Sequence, residues 1–75
     1  MISKVITLIN ELRPYEQVEE DTELIKSGVL DSLAVFALVG MIEDTFEVEI
    51  PDDAITAENI TSAYRIVQLI NSLKN

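Results

Sequence analysis

The chain has 75 residues, 48% apolar and 25% charged, with 14 acidic against 5 basic side chains and a formal net charge of −9. A domain this short buries only about 60% of its unfolded surface, so one core exhausts its apolar residues and a large catalytic cleft is excluded. The negative balance repels phosphate backbones and anionic lipid and favours basic protein surfaces, and the absence of cysteine and histidine excludes disulfides, thiolate metal sites and an imidazole base.

From the amino end, Ile2, Val5, Ile6, Ile9 and Leu12 recur at helical spacing, with Ser3 placed to cap and Pro14 ending the pattern. No signal peptide is read in this stretch, because a basic region, a long apolar core and a small-residue cleavage site do not follow one another. Residues 15–31 then form a long polar connection in which Leu24 and Ile25 make one anchored turn and Gly28 closes it. Connections of that length are usually functional or tethered.

A second helix is expected from Ser32 to Phe46, with Leu38, Ile42 and Phe46, supported by Val35 and Val39, as its inward stripe. The longest apolar run, Leu33 to Ile42, falls far short of the roughly 20 residues that span a bilayer. Glu47-Val48-Glu49-Ile50-Pro51 reads as extended chain, and Asp52 and Asp53 restart a short turn. Thr56 to Ile60 reads as a weak third helix, and Thr61 or Ser62 caps a fourth carrying Ala63, Ile66, Val67, Ile70 and Leu73. The fold class expected is therefore all-α: a small antiparallel four-helix bundle, three main helices plus one short one, with a long loop between helices 1 and 2. It is a single domain over residues 1–75, expected as a cytoplasmic monomer without a membrane span.

Ser32 is the residue with chemical interest. It opens the second helix directly after the Gly28 loop, where unpaired N–H groups and the helix dipole favour an anionic ester on its hydroxyl. Asp-Ser ahead of an apolar run is also an ordinary helix cap, so the pair alone decides nothing. With no histidine to activate it, Ser32 is not expected to be a catalytic nucleophile, and no catalytic or metal-ligating set is read anywhere in the chain.

Taken in order, Asp21 with Leu24, then Gly28, Asp31-Ser32-Leu33, Ile42-Glu43-Asp44 with Phe46, and Glu49-Ile50-Pro51-Asp52 resemble the acyl and peptidyl carrier proteins over nearly the whole chain. The resemblance implies a small helical bundle holding 4′-phosphopantetheine on Ser32, placed there from coenzyme A by a phosphopantetheinyl transferase. The terminal thiol of the arm then carries acyl or aminoacyl intermediates as thioesters, loaded by a ligase and passed to a downstream synthase or transferase. The carrier itself catalyses nothing. Asp31 caps the helix and, by the same resemblance, helps the transferase position magnesium and coenzyme A.

The chain departs from fatty-acid carriers at two positions that are often acidic in them, here Ala34 and Ala37, and at Gly40, where a larger apolar residue is common. The expected partner face is Leu33, Ala34, Phe36, Ala37, Gly40 and Met41, apolar near Ser32, with Glu43, Asp44 and Glu47 adding charge further along. Burial of part of that run under the long loop is the competing reading, and Gly40 signals either close packing or close approach by a partner. Residues 55–60 resemble the corresponding stretch of stand-alone aminoacyl and specialised carriers. These features favour a dedicated pathway of specialised lipid, amino-acid-loading or secondary-metabolite chemistry such as nonribosomal peptide or polyketide assembly. Housekeeping fatty-acid synthesis is the alternative within the family, and a helical adaptor that receives no arm is the alternative outside it.

Overall fold

The computed structural model describes residues 1–74. Three α-helices form among them: α1 (Ile2–Leu12), α2 (Ser32–Phe46) and α3 (Ala63–Lys74), with a single 3₁₀ turn at Asp52–Ala54 and no strand among the described residues. The chain is elongated, about 32 × 22 × 19 Å.

In α1 the stripe of Val5, Leu8 and Ile9 is buried and faces both other helices. Ser3 does not cap it. The helix begins two residues earlier, at Ile2, Met1 occupies the cap position without a side-chain bond, and the Ser3 carbonyl accepts the Thr7 hydroxyl inside the first turns. α2 occupies the expected span and buries Ala34, Val35, Leu38 and Ile42, while Phe46 packs half-buried at its end. α3 starts where Ser62 Oγ accepts the Arg65 N–H at 3.2 Å, and it buries Ala63, Ile66 and Ile70.

Two contacts fix the directions. Arg13, just past α1, reaches Asp31 at the start of α2, so α1 and α2 are antiparallel. Lys74, at the end of α3, donates to the Phe46 carbonyl at the end of α2 at 3.1 Å, so α2 and α3 run the same way. The expected antiparallel bundle is thus corrected for this pair: the long 13–31 connection and the 47–62 segment return the chain to the same end each time.

The weak helix expected at residues 56–60 is not formed as a fourth α-helix; the segment is a set of turns. A single turn is closed by the Ile60 N–H on the Thr56 carbonyl at 3.2 Å. Thr56 Oγ1 accepts the Asn59 N–H, Asn59 Nδ2 donates to the Ala54 carbonyl, and only Ile60 turns inward. The core joins these pieces: Val5 and Ile9 from α1, Leu24 from the long connection, Leu38 and Ile42 from α2, and Ile66 and Ile70 from α3 are all at most 2% exposed. Each such side chain contributes about 1.5 to 3 kcal/mol on burial.

Candidate functional site

The approach to Ser32 is built by a tight, pinned loop. The Ser27 N–H reaches the Glu23 carbonyl, Gly28 donates to Ile25, and Leu30 returns to the Leu24 carbonyl at 2.9 Å. This closure puts Gly28 at φ +82°, in the left-handed region open to glycine. Leu24 is fully buried and its N–H bonds the Thr61 carbonyl at 2.8 Å, while Val29 and Leu30 plug into the core. The chain therefore leaves the core abruptly at Asp31.

Asp31 is extended (φ −97°, ψ −177°) and caps α2: its Oδ1 accepts the Ala34 N–H at 2.8 Å and its carbonyl accepts the Val35 N–H at 2.9 Å. Its second carboxylate oxygen lies 3.5 Å from Arg13 Nη2. Ser32 follows as the first helical residue and is exposed, and among the described residues its hydroxyl is held by no hydrogen bond. At that position the Ser32 and Leu33 amides lack intrahelical acceptors, and with the helix dipole they favour an anionic group on the neighbouring oxygen.

Beyond Ser32, α2 turns Leu33 (81% exposed) and Phe36 (65% exposed) outward, together with Ala37, Gly40, Asp44 and Glu47. Three residues expected on this face lie elsewhere. Ala34 is buried, since the step of about 100° between successive helical residues turns it onto the core while Leu33 faces out. Met41 is half-buried against the core, and Glu43 is half-buried with Oε2 accepting the Ile50 N–H at 2.9 Å, so it anchors the 47–51 segment. A Cβ at Gly40 would meet nothing within 4 Å, so Gly40 is not packed.

Two features were not anticipated from the sequence. An open groove of about 400 Å³ lies beside Ser32, lined by Ile25, Leu30, Val35, Phe36, Ile55 and Ile60. The isolated Ile55 and Ile60 in an otherwise polar stretch were its only signal. Arg13 is the second: its Nε donates to the Val29 carbonyl at 2.9 Å and Nη1 to the Leu12 carbonyl at 3.2 Å. A lone cation at the end of α1 announces a helix terminus, not a distant partner. Between α2 and α3, Leu38, Ile42, Ile50, Ile60 and Ile66 close on one another and leave about 10 Å³, about the room of one water.

The comparison with known families returns the phosphopantetheine attachment site, matched over residues 3–70. The chain belongs to the phosphopantetheine-binding carrier family. Among its relatives are the D-alanyl carrier proteins of Streptococcus gordonii, Streptococcus sanguinis and Streptococcus mutans, each 31% identical over 75 residues, covering 97% of this chain and 94% of the relative. No solved structure matches the chain significantly. The prosthetic group of the carrier family is 4′-phosphopantetheine. The residues here fit it: an exposed serine hydroxyl on the first turn of α2, where the helix end favours an anion, and an apolar groove alongside. Carriers of this kind work with a transferase and ligases and are not themselves catalytic. No helix among the described residues is long and apolar enough to cross a membrane.

Proposed function

We propose that Ser32 is the attachment residue and that the chain carries a small aminoacyl or acyl group, with amino-acid loading as its pathway. The carrying observation is the isolated Ser32 hydroxyl, exposed on the first turn of α2 beside a capping Asp31. Bound there, the arm supplies the thiol that holds cargo as a thioester. The protein supplies an accessible oxygen, a phosphate-favouring helix end and a rigid platform, and with no histidine or cysteine the base for loading comes from the transferase.

A small cargo is supported by two features: relatives named D-alanyl carrier proteins, and a pocket between α2 and α3 with room for about 10 Å³. Partner enzymes dock on Leu33, Phe36, Ala37 and Gly40, with Asp44 and Glu47 meeting basic residues at the far end of the face. Intact-mass measurement after incubation with coenzyme A, magnesium and a broad-specificity transferase tests the site. Wild type gains one phosphopantetheine and Ser32→Ala gains none; an unmodified wild type would instead identify an adaptor. Offering the loaded carrier to an amino-acid-activating ligase and to a fatty-acyl ligase, each with ATP, then tests the cargo, and preference for the fatty acid would return the chain to fatty-acid synthesis.

A further inference from the structure

Arg13 joins two pieces of the chain, the end of α1 and the 29–31 loop, through three acceptors on one guanidinium. Nη1 takes the Leu12 carbonyl at the end of α1, Nε takes the Val29 carbonyl, and Nη2 faces Asp31 Oδ2 at 3.5 Å. Val29 and Asp31 bracket Leu30, the last buried residue before Ser32. The two oxygens of Asp31 are thereby divided, one to the Ala34 N–H and one to Arg13. A planar guanidinium holds its donors in a rigid fork spread over three nitrogens, whereas an ammonium turns its three donors about a single nitrogen on a flexible stem. Its backbone is set as well, because the Arg13 N–H closes α1 onto the Ile9 carbonyl at 2.9 Å.

We propose that Arg13 is a positioning residue for the loading of Ser32: its fork ties residues 29–31 to the end of α1 and so fixes where the start of α2, and with it the Ser32 hydroxyl, stands on the bundle. The inference rests on the Ser32 attachment reading above. Surface ion pairs contribute little to stability, and here the Arg13 and Asp31 side chains are 35% and 67% exposed. The fold therefore survives the loss of Arg13, and the defect is local. A displaced nucleophile costs rate steeply even when the displacement is about 1 Å.

The test compares wild type, Arg13→Gln and Arg13→Lys as full chains by two measurements. The first is the kinetics of phosphopantetheine transfer with carrier varied and coenzyme A saturating. The second is amide hydrogen exchange at Leu30 and Ala34, with Ile66 and Ile70 as remote references. Arg13→Gln is expected to lower kcat/KM for the carrier by about tenfold or more, and to speed exchange at Leu30 and Ala34 while Ile66 and Ile70 stay protected. Arg13→Lys keeps the charge without the fork and is expected to remain impaired in both. Impaired loading with unchanged exchange would make Arg13 a direct transferase contact and overturn the proposal, as would full recovery in Arg13→Lys. If wild type takes no arm at all, the attachment reading fails and the loading role with it, and the exchange measurement still shows whether the fork holds the segment.

Discussion

Ser32 and Asp31 are neighbours with separable duties, and substitution should pull them apart. Asp31→Ala removes the Oδ1 acceptor of the Ala34 N–H and should cost about 0.5 to 2 kcal/mol in a denaturant titration. Asp31→Asn keeps an acceptor at the same place and should recover most of that stability. Loss of transfer in Asp31→Asn would then report a use for the negative charge beyond capping. Ser32→Ala touches no hydrogen bond of the described residues, so its melting temperature should match wild type while loading is abolished. Much of this was legible in the sequence, because a cap residue followed by a helix-opening serine is a local pattern whose geometry depends on few distant atoms. Arg13 was not, since its partners Val29 and Asp31 are 16 and 18 positions away and only the folded loop brings them together.

Along α2, the boundaries were readable because Asp31 caps the apolar run Leu33–Ile42 and Pro51 bars continuation beyond the alternating 47–50 stretch, but the division into faces was not. An almost wholly apolar helix does not advertise which side meets the core, which is why Ala34 and Met41 were assigned to the surface. Gly40 lies in the middle of this helix with open space around it, so Gly40→Ala should stabilise the fold by about 0.5 to 1 kcal/mol, measured by chemical denaturation. Gly40→Met should also fold well and yet slow transfer to a docking enzyme; normal transfer would remove Gly40 from the docking face. The helix ends at Glu47 in the left-handed region, φ 55° and ψ 51°, with its N–H on the Glu43 carbonyl. Glycine tolerates that conformation, so Glu47→Gly should raise stability by about 0.5 to 1 kcal/mol. The turns at 56–60 were misread as helix for a different reason: the local apolar spacing was adequate and one helical bond does form, from the Ile60 N–H to the Thr56 carbonyl behind a Thr56 cap, but the segment stays a set of turns.

Across the chain as a body, the all-helical class and the three main helices followed from periodicity, whereas the absence of the expected fourth helix and the parallel run of α2 and α3 depend on long connections whose paths periodicity does not encode. The net charge of −9 acts everywhere at once. Self-repulsion among 14 carboxylates should make the melting temperature rise with added salt or divalent cation, and a flat series would show that the acidic side chains are too dispersed to matter. The Lys74 ammonium, set on the Phe46 carbonyl, marks the other pole of α2 from Ser32. With 15 residues in that helix, the two poles are separated by about 20 Å at 1.5 Å per residue. A surface-immobilisation handle or fluorophore attached at the Lys74 side of the molecule would leave the serine pole facing solution, which makes that side the place from which to anchor it on a biosensor and time the arrival of its enzymes.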